Sequence, residues 1–137
     1  MERTFTILKP DAIKAGNAGL IMDRLQKEGF RIRGAKMLHL TRPQAEGFYY
    51  VHKERPFFPN LVTFMTEGPV IVMVLEAENA IEKLRKTMGA TDPAKADAGT
   101  IRKQFGSNIE RNAIHGSDGP DTASFEISYF FNQLEMV

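Results

Sequence analysis

The stretch GPVIVMVLE, residues 68–76, carries six consecutive apolar residues, Val70 to Leu75, behind a Gly-Pro break. A strand with one wet face alternates apolar and polar residues, so an unbroken run reads as a strand covered on both faces. Helices are therefore expected over one or both faces of a sheet. Upstream, Thr4 to Lys9 is β-rich and ends at Pro10, which gives a first strand. Asn17 to Glu28 has Leu20, Ile21 and Leu25 at helical spacing, with Gly29 where a C-cap belongs. Phe30, Ile32, Leu38 and Leu40 share one parity, so Phe30 to Leu40 reads as a second strand, interrupted near Gly34.

Thr41-x-x-Gln44 has the form of a capping box, and Pro43 suits the first turn of a helix expected to run to about Lys53. Arg55-Pro56-Phe57-Phe58-Pro59 breaks it, and a short helix, Pro59 to Glu67, follows. Beyond the central strand, Asn79-x-x-Glu82 is expected to cap a helix reaching Met88. Gly89 to about Arg111 reads as a long irregular loop, a length that compact domains usually reserve for function. Ala113 to His115 is the last strand, and Asp121 is expected to cap a final helix bearing Phe125, Tyr129 and Phe130. Strands alternating with helices in this order fit an α/β (α+β) fold of the ferredoxin-like βαββαβ type, with a four-stranded antiparallel sheet and added helices.

No repeat, linker or low-complexity segment divides the 137 residues, so one domain spanning 1–137 is expected. A 42% hydrophobic and 26% charged composition is that of a globular chain. A net charge of +1 gives no reason to expect a nucleic-acid or membrane partner. The absence of cysteine excludes disulfides, thiolate metal sites and thiol catalysis. MERTFTILKPDAI has no apolar run of signal-peptide length, so a cytoplasmic protein is the expectation.

The chemistry concentrates near ERNAIHGSDG, residues 110–119, where His115 ends a strand just before a turn. Lys9, Arg85, Thr91, Arg102 and Asn112 supply anion-binding groups; arginine's fork suits phosphate oxygens. No GxxxxGK[ST] or GxGxxG occurs, so a nucleotide site here must be built from side chains. A neutral imidazole beside such a clamp is able to attack phosphorus, and Glu126 is placed to accept from its other ring nitrogen. His39 and His52 read as structural or surface residues. One of Phe57 and Phe58 is expected in the core and the other exposed, where a ring stacks on any base. No HExxH, EF-hand loop or carboxylate cluster suggests a protein-held metal, so a metal would arrive as magnesium on phosphates.

RNAIHGSD (111–118), TILKPDAI (6–13), RPFFPNLVTFMTEGPVIVMVLE (55–76) and TDPAKADAGTIRKQFG (91–106) together resemble the nucleoside diphosphate kinases, in that family's order and over nearly the whole chain. The resemblance implies ping-pong transfer of the γ-phosphoryl group from a nucleoside triphosphate, typically ATP, to a nucleoside diphosphate. His115 matches the family's phosphorylated histidine. Glu126 and Ser117 match its supporting residues, and Gly116 the glycine that follows it. Lys9, Tyr49, Arg85, Thr91, Arg102 and Asn112 match nucleotide-contacting positions, Lys9 and Asn112 also touching the ribose hydroxyls. Phe57 matches the ring that stacks on the base. Mg2+ is the family's cofactor, held by the nucleotide phosphates. Self-association into a hexamer or a tetramer is implied, the short end Asn132 to Val137 leaving the choice open. Ala90 departs from the acidic residue that many relatives carry. Two other functions on this fold remain: a catalytically silent nucleotide-binding regulator, and a nucleic-acid-binding module.

Overall fold

A computed structural model describes residues 1–137. In chain order the elements are β1 (Glu2–Leu8), α1 (Pro10–Lys14), α2 (Ala18–Lys27), β2 (Arg31–Leu38), α3 (Arg42–Phe48), α4 (Phe58–Met65), β3 (Val70–Ala77), α5 (Ala80–Met88), α6 (Ile101–Phe105), β4 (Ile114–Gly116) and α7 (Pro120–Phe130). The strands form one antiparallel sheet in the order β2-β3-β1-β4. This is the ferredoxin-like arrangement, with β3 inside the sheet, as its apolar run requires.

The two faces of β3 feed two cores. Val70, Val72 and Val74 pack with Phe48, Val62, Phe64, Met65 and Phe131 under α3, α4 and α7. Met73 and Leu75 pack with Ile21, Leu25, Leu84, Met88 and Ile101 under α2, α5 and α6. Each such side chain contributes about 1.5–3 kcal/mol by leaving water. A charge at Val72 or Met73 would have no partner on either face and would break the stack. Covering both faces also removes the exposed aromatic sheet that an RNA-binding domain of this topology uses.

Several boundaries differ from the sequence expectations, each for a local reason. Pro10 at the first helical position starts a single turn, α1, too short to show periodicity. The Thr41–Gln44 capping box forms, but α3 stops at Phe48 rather than Lys53. Phe48 and Tyr49 are both buried, and a short 3-10 turn at Tyr50–His52 redirects the chain after them. Asn79 does not cap α5 with its side chain; it sits in the left-handed region at φ 49°. Glu2 on β1 takes over by accepting from the Ile81 N–H at 2.9 Å. Asp121 is not the cap of α7 either. Thr122 Oγ1 accepts from the N–H groups of Asp118 (3.1 Å) and Gly119 (2.9 Å), and Asp121 stands in the first turn. The segment expected to be irregular contains α6, whose cap is Thr100 accepting from Lys103 N–H at 3.3 Å. Gly89 closes α5 at φ 87°, a conformation open to glycine, where a Cβ would meet Thr100 at 2.6 Å.

Candidate active site

Between α3, α5, α6 and α7, at the end of β4, lies a cleft of about 520 Å³. Nine of the ten residues singled out from sequence line it: Lys9, Tyr49, Phe57, Arg85, Thr91, Arg102, Asn112, His115 and Glu126. Ser117 is fully buried behind the wall and reaches the cleft through Glu126.

His115 sits on β4, an edge strand of only three residues. Its backbone pairs with Ile7 on β1, and Thr6 Oγ1 donates to its carbonyl at 2.6 Å. The ring is walled by Phe48 and Tyr49, both edge-on, at 5.5 and 6.5 Å between centroids. His115 Nε2 lies 3.0 Å from Glu126 Oε1, and Ser117 Oγ donates to that same oxygen at 2.7 Å. A carboxylate is an acceptor, so Nε2 carries the proton and donates it. Nδ1 is then left with its lone pair and no partner within the chain. The same oxygen serving ring and hydroxyl fixes tautomer and orientation together.

Cations surround this group at different depths. Lys9, which follows β1, is 7% exposed, and its Nζ donates to Asn112 Oδ1 at 2.8 Å. Asn112 Nδ2 donates in turn to the carbonyls of Thr91 (2.9 Å) and Ile109 (3.1 Å), tying the loop to the floor. Burial, then the nearby Arg102, brings the Lys9 ammonium down to about 8, opposed by Asp11 and Glu110. Arg102, on α6, donates to the carbonyls of Gly89 (3.1 Å) and Ile114 (2.8 Å). Burial and then Arg85 lower it to about 10, so it keeps its charge at neutral pH. Its buried Nε has no partner. Arg85, exposed at the end of α5, donates to Asp118 Oδ1 at 2.7 Å.

Tyr49 is buried and its hydroxyl has no hydrogen-bond partner. Burial, with Glu126 beside it, pushes its pKa up, so it stays a neutral donor. Phe57 is 48% exposed while Phe58 packs on the core, so the two rings divide as expected. Thr91 is exposed in the loop after α5.

His52, Ile109 and Asp118 also line the cleft and were not singled out as site residues. Ile109 is 64% exposed, and a lone aliphatic residue in the polar run SNIER was the available signal. His52, at the end of the 3-10 turn, lies 5.5 Å from the Phe57 ring.

The arrangement presents an oriented imidazole, a ring of cations and an exposed apolar rim, a combination suited to a nucleotide polyphosphate. A family model described as nucleoside diphosphate kinase matches residues 2–136. The chain is 60% identical to a nucleoside diphosphate kinase of Geotalea uraniireducens over 137 residues, all of both chains. It is 58% identical to one of Geobacter sulfurreducens with the same coverage. Among solved structures, the Aquifex aeolicus nucleoside diphosphate kinase superposes with a TM-score of 0.97 at 49% identity, covering 99% of each chain. A halophilic nucleoside diphosphate kinase of Halobacterium salinarum in complex with CDP gives 0.96 at 41% identity, covering 99% of this chain and 91% of that one. With sequence, fold and cleft in agreement over the full length, the chain belongs to the nucleoside diphosphate kinase family of phosphotransferases.

Proposed function

We propose that the chain moves the γ-phosphoryl group of a nucleoside triphosphate, typically ATP, to a nucleoside diphosphate through a phosphohistidine at His115. The observation that carries this reading is the Glu126–Nε2 contact of 3.0 Å, which leaves Nδ1 as the free nucleophile. Nδ1 donates its lone pair to the γ-phosphorus. The bridging P–O bond breaks, and the departing diphosphate takes that electron pair. Nε2 keeps its proton throughout, and Glu126 stabilises the charge that the ring gains. In the second half a terminal oxygen of the incoming diphosphate attacks the same phosphorus, and the P–N electrons return to Nδ1.

Phosphoryl transfer asks for positioning and charge neutralisation. In this reading Arg85, Arg102 and Thr91 hold the phosphates. Lys9 and Asn112, already joined, bind the sugar edge and the transferring group, and the Tyr49 hydroxyl donates to a phosphate oxygen. Phe57 and Ile109, both exposed on the cleft, flank the base and read none of its edges. No group of three His, Cys, Asp or Glu side chains gathers at metal-ligand range. A divalent ion, Mg2+ in this proposal, would come in on the phosphate oxygens of the nucleotide. The ion supplies charge neutralisation on the phosphates.

The same reading takes residues 1–137 as one domain acting in the cytoplasm. It includes assembly into a hexamer or tetramer, for which the exposed Leu20 and Met37 offer apolar surface. Initial rates with ATP and dTDP varied against each other test the mechanism. Parallel lines in double-reciprocal form are expected, and intersecting lines would require both nucleotides bound at once.

A further inference from the structure

Two residues before His115 the backbone makes an unusual turn. Ala113 is fully buried and has φ 74°, a region that alanine rarely adopts. The Ile114 N–H donates to the Asn112 carbonyl at 2.9 Å, an i to i+2 bond. A positive φ closed by that bond is the strained kind of γ-turn. Such a conformation persists only where its surroundings over-determine it.

Three contacts do so here, and all come from the segment after β1. The Lys9 N–H donates to the Ala113 carbonyl at 2.9 Å. Lys9 Nζ holds the Asn112 side chain at 2.8 Å. Asp11 Oδ2 accepts from the Ala113 N–H at 3.0 Å. The last is the one side chain that grips the turn's central peptide. The other carboxylate oxygen, Oδ1, is buried with no partner. Carrying a half-satisfied carboxylate into a half-buried place is costly, and although its charge also favours the Lys9 ammonium, the Ala113 N–H is the one hydrogen-bond partner its side chain has. Asp11 does not line the cleft.

We infer that Asp11 is a positioning residue for phosphoryl transfer: by gripping the Ala113 N–H it holds the strained γ-turn that aims Asn112 at the sugar edge and sets His115 Nδ1 toward the phosphorus. The inference rests on the phosphohistidine reading above. Its two halves are linked through the turn. Without the grip, Ala113 relaxes toward negative φ, and the peptides on either side rotate. The carbonyl bond from Lys9 would resist that rotation only in part. A displacement of well under an ångström at the nucleophile is enough to slow an in-line attack.

The test is the single-turnover rate of labelling by γ-labelled ATP with magnesium, alongside ADP affinity. The unmodified chain is compared with Asp11→Ala, Asp11→Asn, Ala113→Gly and the doubles. Asp11→Ala is expected to slow labelling about tenfold, while ADP affinity, to which the displaced Asn112 contributes, falls by less, about threefold. Asp11→Asn recovers most of the rate, because its amide oxygen accepts the same bond without the charge. Glycine takes φ 74° freely, so with Ala113→Gly already present, Asp11→Ala should cost no more than about threefold. An equal loss in both backgrounds would overturn the inference, as would an unchanged rate in Asp11→Ala. If Asp11→Ala does not fold, Asp11→Asn decides: a loss as large as tenfold there would mean that charge, not the hydrogen bond, is what matters. No labelling of the unmodified chain would instead remove the phosphohistidine reading itself.

Discussion

At the floor of the cleft Lys9, Asn112, Ser117 and Glu126 are buried and hydrogen-bonded to one another or to the backbone. At its mouth Phe57, Arg85, Thr91 and Ile109 stand in water, and only Arg85 has a charged partner. The floor rests on strand ends and on two cores, so its atoms are in place before any ligand arrives. The mouth is carried by a corner, a helix end and a loop. That division suits a catalyst that must hold phosphorus to within a fraction of an ångström yet accept different bases. Changes on the floor should act on the chemical step, and changes at the mouth on binding.

Removing the proposed nucleophile has the largest expected effect. His115→Ala should lower phosphotransfer by at least about a thousandfold while ADP still binds. Measurable transfer near the unmodified rate would mean that the floor does no covalent chemistry.

Arg102 belongs to both regions, a buried guanidinium holding the Gly89 and Ile114 carbonyls. Arg102→Ala leaves those carbonyls unpaired and should cost about 3 kcal/mol in urea unfolding, with a loss of activity larger than its loss of nucleotide affinity. A stability change below about 1 kcal/mol would show that the loop does not depend on it.

The Lys9 ammonium gives the floor a pH limit. Its folded pKa is about 8 against 10.5 unfolded, so the unfolded chain binds more protons between those values and stability rises with pH there. Below about 8 the full cost of charging this buried group is present. In the proposed mechanism activity runs the other way, because there the charged form is the one that meets phosphate. kcat/KM is expected to bend downward above about pH 8, reaching a loss of about thirtyfold by pH 9.5, and a flat profile would sink the assignment.

Phe57→Ala should act only at the mouth, raising KM about tenfold for ATP and GTP alike with kcat nearly kept. A fall confined to one nucleotide would mean that the rim reads base edges after all.

The order of strands and of the longer helices was legible because β3 announces itself as doubly buried and those helices carry periodicity or cap-like residues. Chemistry and family motifs singled out His115, Arg85, Arg102 and Lys9, and the fold brings these four to one cleft. Beyond the single turn α1 and the early stop of α3, three things were not legible. Asn79 and Asp121 look like caps, but Glu2, from the far end of the chain, caps α5, and Gly119 stands at the N-cap of α7 with its N–H held by Thr122. The α6 turn hides in a stretch that its loop-like neighbours dominate. Ala113 looks like an ordinary strand residue, and only the backbone reveals a positive φ that residue type would argue against.

The most direct measurement is to incubate the protein with γ-labelled ATP and magnesium, without acceptor, and then add GDP. The relay predicts acid-labile, base-stable label on the protein that moves to GDP and is absent in His115→Ala. Nucleotide bound with no label formed, or label that GDP fails to remove, would contradict it.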